Sequence, residues 1–403
     1  MKDGGLRVLV GHNRYRSGQP SGEDRVVDQE VALLRAAGHH VTTYERSSDE
    51  IAAMSPVGKA QVAGAALWSR RARLEFLARL HADRPDIVHL HNTFPLLTPS
   101  VLAAAAQVRV PVIATLHNYL QVCPSGTLYR AGRVCDDCVG RLPLPAIRHG
   151  CCRGSRLASV PLALGSVSGR RTWWSGVQRF FCISQAQRDM LVQSGMPAQR
   201  LIVKHNFVPD TAVRRRGAGR HVLFLGRLVE EKGLRVLMAA WERLTAAGPS
   251  PVPLLLAGAG PLQGEVGSWA AGRSDAHYLG LLGRAECRAL TAGAAAVVAP
   301  SVWPETFGLV AVEAMAAGVP AVAAAHGAFV EIVADGRTGL LHEPGDPESL
   351  ARCIRGVTDP TVGARLGAAA RARYEAAFTP EVGLARLEEG YASALAGSAA
   401  QPA

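Results

Sequence analysis

Short runs of apolar and β-branched residues alternate with segments of helical periodicity along nearly the whole chain, and no other feature restricts the fold as strongly. In the first half the expected strands are residues 6–11 (LRVLVG), 39–44, 86–91, 111–117, 179–184 and 201–206. In the second half they are 221–226, 253–258, 276–281, 295–300 and 320–325. Helical segments such as 23–38 and 232–248 separate them and end in glycine, a frequent helix stop. Strands that alternate with helices build parallel sheets covered on both faces. The stretch FVPDTAVRRRGAGR at 207–220 reads as a linker from its Pro, Arg and Gly content. The expected class is therefore α/β, two doubly wound Rossmann-like domains facing a cleft. They span residues 1–208 and 209–380, with a C-terminal helix at 381–396 expected to pack back on the N-terminal domain and a tail at 397–403.

At 403 residues and 48% hydrophobic, the chain is long and apolar enough for two such cores, which excludes a disordered polypeptide. A formal charge of +11 favours phosphate-bearing partners, although arginine-rich codon usage gives the same balance. Basic residues do not interleave with aromatic ones, so nucleic-acid binding is kept only as an alternative and no nucleic acid is expected as a partner. The apolar run 6–11 is too short for a signal peptide, and no run reaches membrane-spanning length. The expected location is the cytoplasm, where thiols stay reduced, with the inner face of the membrane as an alternative position.

In open α/β sheets ligands bind beyond the carboxyl ends of the strands. Those ends here carry His12-Asn13, His91-Asn92, His117-Asn118, Ser184, His205-Asn206, Gly226-Arg227 and the loop leading to Glu305. In FLGRLVEEKG (224–233) a strand ends in Gly226, Arg227 follows, and Lys232 stands at a helix entrance. Two cations beside helix N–H groups suit a diphosphate, whereas Glu230 and Glu231 would neutralise them in a merely solvated loop. There is no Walker A and no complete G-x-G-x-x-G, so an ATPase or plain dinucleotide reading lacks support. The segment PETFGLVAVEAMAAGVP then sets Glu305 at a turn, Phe307-Gly308-Leu309 before a helix, and Glu313 as the sole charge of that helix. A buried carboxylate needs a partner, and sugar or ribose hydroxyls would serve.

These residues resemble the retaining family 4 glycosyltransferases, which have the GT-B fold. The resemblance rests on GRLVEEKG, GAGP, PETFGLVAVEAMAAGVPAV and HGAFVEIVADGRTGLLHEPGDPESLA, and it covers nearly the whole chain. It implies a UDP- or GDP-sugar as donor and no catalytic metal. Glu305 would hold the donor sugar, Glu313 the ribose, and Arg227 and Lys232 the diphosphate. Phe307, Gly308 and Leu309 would offer N–H groups, and His117 would lie near the transferred sugar. Family members often carry a Gly-Gly turn after the first strand; here Ser21 precedes Gly22, and Gly22 keeps the backbone role. The implied reaction is retaining transfer to an acceptor hydroxyl in bacterial cell-envelope polysaccharide or glycoconjugate synthesis. The acceptor would be a carbohydrate, a lipid-linked saccharide or a small molecule. The enzyme alternative is another GT-B activity, a nucleotide-sugar epimerase or a phosphorylase.

Cys123, Cys135, Cys138, Cys151 and Cys152 follow the frame C-x11-C-x2-C-x12-C-C, a clustering that suits zinc on four thiolates, with a redox C-x-x-C pair or unligated thiols as alternatives. The surrounding insertion, 118–156, also resembles one found in a subset of bacterial family 4 enzymes. That resemblance implies Cys123, Cys135, Cys138 and Cys151 as ligands of a structural zinc. Downstream, Arg170, Arg171, Trp173 and Trp174 fit either peripheral contact with a membrane or a helix packed on the first domain.

Overall fold

In the computed structural model the described residues are 5–18, 21–55, 58, 68–152, 154–246, 248, 250 and 252–399. They form two compact units. The first takes its residues from Met1–Leu128, Asp136–His205 and Gly383–Ala403, the second from Tyr129–Cys135 and Asn206–Val382.

The first unit is built on six parallel strands: β1 (Arg7–Arg14), β2 (His40–Ser47), β3 (Ile87–Leu90), β4 (Val112–Leu116), β7 (Arg179–Cys182) and β8 (Leu201–Val203). Their order is β2-β1-β3-β4-β7-β8. β3 and β4 are buried at every position, which is why they read as continuous apolar runs rather than alternating ones. The helix Gly22–Ala36 begins at Ser21, whose hydroxyl accepts from the Asp24 amide. Ser21, the departure from the glycine pattern, is thus a helix cap. The C-terminal helix Pro380–Ala399 sends Leu387, Tyr391 and Ala394 into the core of this unit, among Val8, Val10, Val27, Ile113 and Phe181. Gly390 permits the close approach: a Cβ there would stand 2.2 Å from the Phe181 ring.

The second unit holds the hairpin β5 (Tyr129–Arg130) and β6 (Arg133–Val134) and a second parallel sheet. Its strands are β9 (Val222–Leu225), β10 (Leu254–Ala257), β11 (Ala276–Tyr278), β12 (Ala296–Ala299), β13 (Ala321–Ala324) and β14 (Gly339–His342). They run β11-β10-β9-β12-β13-β14, so the chain reverses direction across the sheet between β9 and β12. β14 and the two-residue strands β5 and β6 lie outside the expected strands; GLLH opens on glycine and has no β-branched residue to mark it. Leu237, Trp241, Leu256 and Ile354 lie in the core between sheet and helices.

No helix among the described residues is long and apolar enough to cross a membrane. Trp173 is 9% exposed and Trp174 is half-buried with Arg170 over its ring, so packing rather than membrane contact accounts for this pair. The side chain of Arg171 lies outside the described residues.

Candidate functional site

In the second unit the ends of β9 and β12 flank the point where strand order reverses, the position at which such sheets bind ligands. After β9 the chain passes Gly226 and Arg227, makes a short 3-10 turn at Glu230–Lys232, and enters the helix Leu234–Ala246. After β12 it runs through Pro300 and Ser301 to Glu305. The two loops are tied by the Val302 amide donating to the Glu231 carbonyl at 2.9 Å. Gly233 allows this contact. Its φ is +71°, and a Cβ would lie 1.9 Å from the Pro300 carbonyl oxygen.

The loops bring Lys232 onto Glu305. Lys232 Nζ donates to Glu305 Oε1 at 2.5 Å, and Ser301 Oγ donates to the same oxygen at 2.6 Å. Burial alone would raise the Glu305 carboxyl, which is 5% exposed, but Lys232 and these donors outweigh it and hold the group below the usual carboxylate range. The partner that a buried carboxylate needs is thus supplied at Glu305 by the protein itself, as a cation and a hydroxyl, and not by sugar hydroxyls alone. Arg227 is held loosely, 3.9 Å from Glu231 with its side chain 58% exposed. Phe307 is buried, Gly308 sits at φ +90°, and Leu309 opens the helix Leu309–Ala316, on which Glu313 is half-buried. The first amides of a helix have no acceptor within it, so this turn presents N–H groups at its start. His326, whose Nε2 lies 2.8 Å from the Ser301 carbonyl oxygen, and Ser301 itself were absent from the sequence reading. A serine four residues before a loop glutamate carries no signal of its own.

In the first unit the strand-end histidines converge. His91 Nδ1 lies 2.9 Å from His117 Nε2, with ring centroids 5.2 Å apart and planes 20° from parallel, an arrangement that suits an in-plane N–H···N bond. Burial, with neighbouring positive groups adding to it, pushes both rings well below the ordinary histidine range, so both are neutral. His91 Nε2 faces Glu30 Oε2 at 3.8 Å, and Glu30 pairs with the buried Lys204. The carboxylate favours the proton on His91 Nε2. That leaves His91 Nδ1 as acceptor and His117 Nε2–H as donor, so the lone pair of His117 is on Nδ1. His89 completes the row, its Nδ1 2.8 Å from the Tyr391 hydroxyl and its Nε2 2.8 Å from Thr115 Oγ1. Glu30, His89 and His91 form the group of metal-ligand type found among the described residues. The Lys204 ammonium already sits on Glu30, so a divalent ion would have to displace it.

Gly22 is the first residue of its helix and is exposed. Next to it, burial pushes the Glu23 carboxyl up to about 8. Cys138 is buried, Cys123, Cys135 and Cys151 are half-buried, and no disulfide forms among the described residues. Cys123 Sγ lies 3.1 Å from Ser125 Oγ.

Residues 20–211 match the family described as Glycosyltransferase Family 4, and residues 219–359 match Glycosyl transferases group 1. A glycogen synthase of Mycobacterium tuberculosis is 29% identical over 93% of this chain and 91% of its own length. A phosphatidyl-myo-inositol mannosyltransferase of Mycolicibacterium smegmatis is 37% identical over 35% of this chain and 36% of its own. Among solved structures, HepE of Anabaena in complex with UDP superposes with a TM-score of 0.68 at 19% identity, covering 96% of this chain and all of that one. Sucrose-phosphate synthase of Thermosynechococcus elongatus gives 0.70 at 19% identity, covering 97% and 99%. At such identities the structural likeness establishes the fold: both sheets belong to a two-domain GT-B architecture.

Proposed function

The chain belongs to the family 4 glycosyltransferases of GT-B fold, and from that premise we propose that it transfers a sugar from a UDP- or GDP-sugar to an acceptor hydroxyl with retention of anomeric configuration. The observation that carries the reading is the Lys232–Glu305 pair at the reversal point of the second sheet, with the exposed Arg227 on the same loop. Relatives support the donor class: HepE has been crystallised with UDP and with UDP-glucose.

The chemistry follows from charge. Breaking the anomeric C–O bond builds positive charge on the sugar and negative charge on the departing diphosphate. Arg227 and Lys232 offset the negative charge. Glu305, kept ionised by Lys232, accepts from donor sugar hydroxyls through the oxygen that Lys232 and Ser301 leave open. Phe307, Gly308 and Leu309 present amides to sugar and phosphate, and Glu313 takes the ribose hydroxyls. The acceptor oxygen bonds to the anomeric carbon as the C–O bond breaks, and its proton passes to the leaving phosphate oxygen. His117 sits by the transferred sugar, and Gly22 keeps a backbone role near the phosphates. Two side-chain cations are enough for the leaving group, so no catalytic metal enters the scheme. We assign the product to bacterial envelope polysaccharide or glycoconjugate synthesis in the cytoplasm.

Glu305→Gln and Lys232→Ala should each lower transfer by about 10²–10³-fold or more while the protein stays folded. Wild-type turnover in either variant would overturn the assignment. A melting-temperature screen against UDP-, GDP- and dTDP-sugars identifies the donor, since a bound donor raises stability by mass action.

For the insertion, a structural zinc on Cys123, Cys135, Cys138 and Cys151 remains a proposal from their spacing and the resemblance. The metal-type group among the described residues is Glu30, His89 and His91 rather than these thiols, so the ion would have to draw them together, and four thiolates would leave no open position for catalysis. Elemental analysis of freshly purified protein should find close to one zinc per chain, and a metal-free, fully folded protein would remove zinc from the scheme.

A further inference from the structure

The first unit contains a cavity of about 560 Å³, within the range of a small-molecule site. Its polar groups gather at one end, at the strand ends, the loop after β1 and the first turn of the Gly22–Ala36 helix, with His91, Asn92, His117, Asn118, Arg16 and Glu23. Thr93, Gln121, Ser166 and Arg170 add isolated polar groups elsewhere on a lining that is mostly apolar. Its opposite chemistry comes from the helix Arg156–Gly176 and from the loops after β3 and β4. Pro95, Leu120, Pro124, Pro161, Leu162 and Trp173 are the main apolar contributors. Gly165 and Gly169 of the helix also line the space, and at Gly169 the absence of a side chain lets Pro99 and Trp173 approach, a Cβ there lying 3.4 Å from the Pro99 ring.

Two polar atoms on this lining, Glu23 Oε1 and Arg170 Nε, are buried without a hydrogen-bond partner. Such atoms cost about 1–3 kcal/mol each when left unpaired, so a ligand with a few polar groups would improve the site. A free saccharide is a poor match for the rest. Each of its hydroxyls needs a partner once water is excluded, and Pro95, Pro124 and Pro161 have no amide N–H while Leu120, Leu162 and Trp173 offer mainly hydrocarbon surface.

We propose that this cavity takes the acceptor as a hydroxyl carried on an apolar body, the body lying against the Arg156–Gly176 helix and the hydroxyl reaching His117. The proposal rests on the glycosyltransferase reading and narrows its acceptor class. The body is an isoprenoid-like chain or a compact polycycle; both share the same chemistry at these walls. Glu23 and Arg170 pair with polar atoms of the ligand.

The test is equilibrium binding by titration calorimetry to wild type and to Gly165→Leu, which fills the cavity from the helix side. The probes are farnesol for a chain, a hydroxyanthraquinone for a polycycle, and maltotriose for a soluble saccharide. At least one apolar probe should bind wild type ten-fold or more tightly than the variant, and the one that binds tells chain from polycycle. Maltotriose should show no such preference. Weak and equal binding of both apolar probes to the two proteins, or a loss confined to maltotriose, would overturn the proposal. The larger of the UDP- and GDP-induced rises in melting temperature is measured on the same samples. Its presence in Gly165→Leu certifies a folded variant; its absence in wild type counts against the transferase reading rather than this one. If Gly165→Leu fails to fold, Leu162→Asn places a polar group on the same wall and should give the same ten-fold loss.

Discussion

Lys232 and Glu305 show how two residues of opposite charge, 73 positions apart, become one group. A buried carboxylate beside an ammonium and a hydroxyl stays ionised, which is the state required to orient sugar hydroxyls. The His91–His117 contact works by direction rather than charge. Glu30 fixes the proton of His91, His91 fixes the proton of His117, and the tautomer of His117 follows. His91 is therefore a positioning residue. His91→Phe should lower kcat by up to about 10²-fold with KM for the donor little changed and should alter the pH profile. A purely structural role would instead lower the melting temperature and leave the profile intact.

At the scale of elements, the C-terminal helix matters to the first unit beyond its position at the end of the sequence. Leu387, Tyr391 and Ala394 are fully buried there, and the Tyr391 hydroxyl satisfies His89. The fit depends on Gly390, where even one methyl group would strike the buried Phe181 ring. Gly390→Ala should cost about 1–3 kcal/mol through overpacking, read as a lower denaturation midpoint with an unchanged slope. An unaltered midpoint would show that the helix is dispensable. The expected strands coincide with observed ones to within a few residues because apolar runs in parallel sheets are buried on both faces. The missed strands are β14, whose GLLH contains no β-branched residue, and the two-residue strands β5 and β6, too short to show a period.

For the whole molecule, buried histidines set the response to acid. His89, His91 and His117 lie well below their ordinary range, and His342 falls to about 4, in each case chiefly through burial. The unfolded chain binds protons near pH 6.5 that the native state refuses. Stability is therefore fully present above about pH 6.5 and is lost as pH falls below it. Glu23 works in the opposite sense, since its raised carboxyl costs stability as pH rises toward 8, but one carboxyl is outweighed by four rings. The melting temperature should therefore drop by several degrees between about pH 6.5 and 5.5, and a flat profile across that window would contradict the assignment of neutral histidines.

The sequence by itself determined the two parallel sheets, since apolar runs alternating with helical periods allow few other solutions, and it determined which strand ends carry polar residues. It also carried the Arg227–Lys232 loop and the Glu305–Glu313 spacing, because those lie within single local segments. Only the tertiary structure decided that Lys232 rests on Glu305, that Ser301 shares the same oxygen, and that Glu30 and Lys204, 174 positions apart, stand behind the histidine row. Trp173 likewise became a cavity wall rather than a membrane anchor once its helix was placed. The reason is physical: local periodicity records which face of an element is buried, whereas a contact between distant residues depends on strand order and loop closure, which no short stretch of sequence encodes.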